Sequence, residues 1–461
     1  MKRVNLKSII FFLLSITALF VFSCDTDILN LLTASDLEDE LTFRAQKATD
    51  YSWYDVPAIK LAEGSKCIVY AEKAEDISVA IANSIVTEYE SRIHSKITDA
   101  FGAIKYMPRN KNKIVFLLLD IIDGFDIEVG GGYVAGYFDP THMFSSITSP
   151  NSNSLSMLFL DTNPGLKGPD MMKKLYGTIA HELQHLINFS QTYLKNEQPQ
   201  DLWINEGLSS GAEHIYGGPQ NDRVSYFNND PSKTIAYGNN FFVWNNREDA
   251  LADYATVYLF FQWLRIHASN GVGIYKEIIN SNYRDYRTIT SAASKRIDNK
   301  FNNWGTLLST WMLANYFKTT NDFYGYKNQI TTSISYPAGI SSNSSSLYPG
   351  EGIFSNLGGS SCNPSVSGTN IRYIAFSSTV ASIDTVAPYQ GQKLLTYNAN
   401  ADKTADKETG YVANTLTTLM KSSMLNTPAA DNQLPKIYPV DFHTVNNGSK
   451  DTLLKQKPTG N

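Results

Sequence analysis

The chain has 461 residues, 42% of them hydrophobic and 18% charged, which describes a folded globular protein too long for one ordinary core. A formal charge of −5, with no Lys/Arg run, argues against a nucleic-acid partner. The 27 Tyr and 23 Phe lean towards a protein that works outside the cytoplasm.

The first residues read as a targeting segment. Lys2, Arg3 and Lys7 make a basic start, and Ile9 to Phe22 form an apolar stretch too short to span as a mature helix. Val21-Phe22-Ser23-Cys24 resembles a bacterial lipobox. Residues 1–23 are therefore expected to be a lipoprotein signal peptide, with lipid on Cys24 holding the protein to the outer membrane or cell surface of a bacterium. The alternative is an ordinary secretory signal with an incidental cysteine. Cys67 and Cys362 are the other cysteines. A disulfide between them stays open, and with no CxxC they do not make a metal site.

Residues 24–56 are polar and acidic and read as a flexible tether, with order expected from Pro57. Cys67 to Tyr70 predicts a strand. Ile77 to Phe101 has helical periodicity, with Ile81, Ile85, Tyr89 and Ile93 at four-residue steps. The apolar run Ile114 to Asp120 predicts a buried central strand, and Tyr133 to Phe138 and Met157 to Leu160 two more. A helix is expected from Asp170 to Ser190, and mostly helix from Asp201 to Phe317, clearest at Tyr254–His267 and Trp304–Phe317. Strands first and helices after predict an α+β domain over 57–331. Residues 332–356, rich in Ser, Gly and Pro, read as a linker. Residues 357–461 read as a small β-rich module with strands at Ile371–Ser377 and Lys393–Asn398 and a disordered tail.

Within this frame the informative residues are His181-Glu182-Leu183-Gln184-His185, followed by Glu206 in Trp203-Ile204-Asn205-Glu206-Gly207-Leu208. Positions i and i+4 share a helix face, so both imidazoles can reach one ion. Glu182 is rotated about 100° from His181, beside the metal without ligating it. Glu206 can return on a second helix as third ligand, leaving a fourth position open for water, the arrangement of a catalytic zinc. The bland alternative is a helix with an accidental HExxH. Two weaker patterns fail on context. Gly130-Gly131-Gly132-Tyr133-Val134-Ala135 fits a dinucleotide fingerprint, but β-like sequence and Asp139-Pro140 follow where a helix should begin. Asp120, Asp123 and Asp126 lack the glycine placement and final Glu of a calcium loop, so a strand-ending turn is expected there. His142 reads as a loop residue.

The two halves together resemble the gluzincin peptidases, whose third ligand is the glutamate of an Asn-Glu pair on the next helix. Gly132-Tyr133-Val134-Ala135-Gly136-Tyr137-Phe138, Leu160-Asp161-Thr162-Asn163-Pro164-Gly165 and the zinc helix are similar to the hyicolysin-type bacterial peptidases. The resemblance covers about residues 60 to 330. It implies a thermolysin-like fold: an N-terminal mixed sheet, an HExxH helix and a mainly helical C-terminal subdomain. It also implies Zn2+ held by His181, His185 and Glu206, with Glu182 as general base. Tyr254 opens a stretch similar to the aminopeptidase helix that begins with a catalytic tyrosine, and departs from it at Thr256-Val257. A core aromatic is the other reading of Tyr254. His214 is the rival for transition-state donor, and Glu213 either orients a ligand histidine or lies on a solvated face.

The resemblance implies protein or peptide substrates, with an extended peptide added to a sheet edge supplied by Tyr133–Phe138 or Met157–Leu160. The segment Gly-x-Met-Glu-Asn of the aminopeptidases is missing, which favours an endopeptidase. A non-catalytic surface adhesin with a structural zinc site is the competing class, and an intact Glu182 speaks against it. The oligomeric state is left open.

Overall fold

The computed structural model describes residues 37–126, 132–167, 170–238, 242, 249–330, 332–336 and 344–413, and the backbone of 441–446. Six strands come early in the chain: β1 Glu40–Gln46, β2 Trp53–Glu63, β3 Cys67–Glu72, β4 Ile114–Leu119, β5 Gly132–Phe138 and β6 Met157–Asp161. Every residue of β4 is buried. Its alternate side chains serve two cores: Ile114, Phe116 and Leu118 face the helices, while Val115, Leu117 and Leu119 meet Phe43, Tyr70, Tyr137 and Phe159 on the far face. Strand β4 runs parallel to β3 and β6, and β5 returns antiparallel to β6.

The periodic stretch from residue 77 to 101 folds as helix α1 Val79–Glu88 and helix α2 His94–Phe101, joined through a π turn at Tyr89–Ile93. Ile85, Tyr89, Ile93 and Ile97 all bury their side chains against the sheet. After the strands come α3 Met171–Gln191, α4 Leu202–Gly217, α5 Asn221–Asn229, α6 Ala250–His267, α7 Gly273–Ile279, α8 Tyr286–Arg296 and α9 Trp304–Phe317. Trp203, Phe260, Phe261, Trp304 and Trp311 pack together, with Phe260 edge-on to Trp311 at 5.4 Å between ring centres. The architecture is mixed α+β, with the sheet first and the helices after it.

Four expectations need correction. The tether assigned to 24–56 contains β1 and the start of β2, paired from Glu40↔Ile59 to Gln46↔Trp53. Phe43 and Ala45 are buried on either side of the more exposed Arg44, an alternation too short to stand out from its acidic surroundings. The linker assigned to 332–356 contains β7 Ser344–Leu347 and β8 Gly352–Asn356. Ser-rich β7 is a polar edge paired with β13 Glu408–Tyr411, and β8 buries Ile353 and Phe354.

The segment read as a separate module adds β9 Ser361–Cys362, β10 Ile371–Phe376, β11 Tyr389–Gln390 and β12 Lys393–Asn398, with β10-β12-β8 forming one sheet. That sheet shares the main core, because Tyr316 at the end of α9 lies 5.8 Å from Phe354 and 4.8 Å from Phe376 between ring centres. The last correction concerns the sheet edge. Strand β14, Asp441–Asn446, pairs with β5, so the main sheet runs β1-β2-β3-β4-β6-β5-β14. Both β5 and β6 are therefore interior strands.

Asp123 accepts from the amides of Phe125 and Val134, each at 2.7 Å, which makes Asp120–Asp126 the expected turn. Gly132–Phe138 is strand where a dinucleotide site would need a helix, while Gly130 and Gly131 lie outside the described residues. Cys67 and Cys362 are free thiols. Cys24, the expected signal segment and the final residues also lie outside the described residues. Among the described residues no helix is long and apolar enough to cross a membrane.

Candidate metal centre

Helix α3 is buried along most of its length. Leu175, Ile179, Leu183 and Ile187 recur at four-residue steps and join the core, and His181, Glu182 and His185 are also shut off from solvent. Strand β5 crosses close to it: a Cβ added to Gly136 would meet Thr178 Cγ2 and Phe159 O, each at 2.8 Å. Helix α4 lies against α3 on another side, tied by the Asn188–Asn205 side-chain hydrogen bond. Gly207 lets α6 close on α4, since a Cβ there would lie 2.2 Å from the Phe261 ring.

This packing brings three of the expected residues to one point. His181 Nε2 lies 3.2 Å from Glu206 Oε2, and His185 Nε2 lies 3.1 Å from Glu206 Oε1. Donor atoms of the three all fall within 4.8 Å of one another. Zinc bonds of about 2.0–2.1 Å at tetrahedral angles place ligand atoms about 3.3 Å apart, so the spacing fits that ion.

The outer nitrogens of both rings are held. His181 Nδ1 is 2.8 Å from Glu213 Oε1, and His185 Nδ1 is 3.0 Å from Ser209 Oγ. Burial, His185 and Arg223 push the His181 pKa well below its ordinary value, so the ring is neutral, as a ligand must be. A neutral imidazole has one N–H to give, yet both nitrogens of His181 face a carboxylate oxygen, so one contact sets a lone pair against an oxygen. A lone pair facing a carboxylate oxygen is repulsive by itself. A cation between the two would turn the contact into a bond, so the cluster fits a metal ion.

Around the triad stand residues of uneven legibility. Glu182, the expected base, is fully buried next to His181. Glu213 lies seven residues beyond Glu206, about 20° away around α4, which is why both carboxylates face His181. His214 is turned about 80° from Glu206 and engages Tyr258 instead, 3.0 Å from its hydroxyl. That hydroxyl also accepts from the Gln220 amide at 3.0 Å. Burial, reinforced by Arg265, brings the His214 pKa down to about 4.

Tyr254 is at the site, its ring centre 6.1 Å from that of His181. The Arg223 guanidinium sits 4.6 Å over the Tyr254 ring and 3.9 Å from Glu213 Oε1. Sequence reasoning missed Ser209 and Arg223. Ser209, three residues after Glu206, was findable as a small hydroxyl on the ligand's own helix face. Arg223 comes from a separate helix with no motif around it.

A buried two-histidine, one-carboxylate centre flanked by Glu182 invites comparison with known metalloenzymes. The chain is similar to a metalloprotease. The relative is the neutral metalloprotease ShpI of Staphylococcus hyicus, 32% identical over 252 residues, or 53% of this chain and 55% of the relative. The chain thus spans about half the length of the curated relative it matches. No protein-family model matches it.

Proposed function

We propose that this protein is a zinc metallopeptidase that hydrolyses peptide bonds at the centre formed by His181, His185 and Glu206. The observation that carries the reading is the buried pair of Nε2 atoms facing one carboxylate, with Glu182 beside them on the same helix. The likeness to ShpI, a neutral metalloprotease by name, supports it. When bound, zinc supplies Lewis acidity that acidifies water and polarises a carbonyl.

The chain's own residues then divide the work. Glu182 takes a proton from water as its oxygen bonds to the scissile carbonyl carbon, and passes that proton to the departing amine as the C–N bond breaks. Glu213 holds His181 in one tautomer, and Ser209 fixes the plane of His185. Tyr254 donates a hydrogen bond from its hydroxyl to the carbonyl oxygen as negative charge grows there. A structural zinc site has no use for a carboxylate at 182.

The finer readings are part of the same proposal. The motif around Glu206 supports a thermolysin-like gluzincin of the hyicolysin type, and the missing exopeptidase segment supports endopeptidase action. Val21-Phe22-Ser23-Cys24 supports a lipid anchor that holds the enzyme at a bacterial surface. Replacing Glu206 with Ala tests the metal assignment. That variant should lose zinc by elemental analysis and peptide hydrolysis with it. Near-full zinc content with hydrolysis intact would contradict the assignment.

A further inference from the structure

In this chain the sheet edge nearest the metal centre is occupied by the chain itself. Strand β14 runs antiparallel along β5, in register from Asp441↔Phe138 to Asn446↔Gly132, with one irregularity between His443 and Thr444. Its other neighbour is helix α6, which carries Tyr254. The register sets His443 opposite Gly136. Gly136 is the β5 residue that packs on Thr178, one turn before His181. β14 therefore lies between the strand that backs the metal helix and the helix that brings Tyr254 to it.

An extended peptide bound by strand addition takes its affinity from main-chain hydrogen bonds to an open edge. With β14 in place the side of β5 away from β6 is paired from Gly132 to Phe138, and β6 takes Gly136 and Tyr137 on the other side. We infer that residues 441–446 are an intramolecular occupant of the peptide-binding edge, and that a substrate strand must displace them before it reaches the metal centre. This inference rests on the metallopeptidase reading for what is inhibited, but not for the occupancy itself. A tethered strand competes at a local concentration of about a millimolar, so a free peptide of modest affinity is weakened about tenfold.

The test uses the full chain with Phe442→Pro and Val445→Pro, which remove ladder N–H groups from β14. On a Glu182→Gln background, chosen so that no probe is consumed, a fluorescent peptide copying residues 440–447 is titrated and followed by anisotropy. The proline pair should bind it about tenfold more tightly than the unmodified strand does. Equal affinity overturns the proposal.

With Glu182 restored, the proline pair should hydrolyse a short quenched peptide with a kcat/KM about tenfold above that of the parent chain, chiefly through KM. Equal Glu182-dependent rates also overturn it. If neither chain hydrolyses peptide yet the binding gain is present, the occupancy stands and the metallopeptidase reading fails. Retained amide protection in Ile114–Leu119 shows that the fold has survived. A milder pair, Phe442→Gly and Val445→Gly, should give the same order with smaller changes; no gain in probe binding with either pair refutes the inference.

Discussion

Each nitrogen of His181 has its own carboxylate, Glu213 on one side and Glu206 on the other, and that asymmetry sets the chemistry of the site. In the proposed site Glu213 accepts from the Nδ1 N–H, which would leave Nε2 as the basic nitrogen towards the metal. Tyr254 is held under Arg223 and beside His181, and its proposed role is that of oxyanion donor. Tyr254→Phe should lower kcat about a hundredfold while KM changes little, as loss of one oxyanion donor does. Steady-state kinetics on a peptide substrate checks this, and an unchanged kcat would return the ring to a packing role. Much of this cluster was legible in the chain because helix spacing is local: four residues join the two histidines, and seven join Glu206 to Glu213. Arg223 was not, since only packing of α5 against α4 and α6 brings it near Glu213 and Tyr254.

The metal site depends on how closely α3, α4 and α6 approach one another. Gly207 follows the ligand Glu206 directly, and the Phe261 ring occupies the space a side chain there would need. Gly207→Ala should therefore destabilise the protein by about 1–3 kcal/mol through overpacking, and weaken zinc binding by displacing Glu206. Chemical denaturation and zinc titration would measure both. The smaller ring space of Gly207→Ala with Phe261→Leu should recover part of each loss, and a silent Gly207→Ala would contradict the close approach. Elements were readable where burial is two-sided or strongly periodic, as in β4 and α3. They were missed where a polar strand is recruited by a distant partner. β7 and β14 are of this kind, and β14 pairs with a strand about three hundred residues earlier, a relation that no local pattern carries; β1 pairs with its neighbour β2, and its acidic surroundings hide its short alternation.

At the scale of the whole molecule, burial has been extended to groups that titrate. His142, read from sequence as a loop residue, is buried in a short turn between Phe159 and Trp53, and its Nδ1 accepts from the Asn153 amide at 3.0 Å. Protonation would set an N–H against an N–H, and burial brings its pKa from the ordinary 6.5 down to about 4. The unfolded chain binds this proton first as pH falls. The stability His142 contributes is thus complete above pH 6.5 and is lost, at about 1.4 kcal/mol per pH unit, down to about 4. Denaturant unfolding of His142→Gln across that window should show a slope shallower by this amount, and parallel slopes would contradict it.

The cluster is proposed as a working hydrolytic centre and not a structural one. Glu182→Gln tests it most directly, with zinc content and casein hydrolysis measured on the same sample. A full complement of zinc with hydrolysis abolished is the predicted result. Undiminished cleavage by the zinc-loaded variant would mean that Glu182 is not the base.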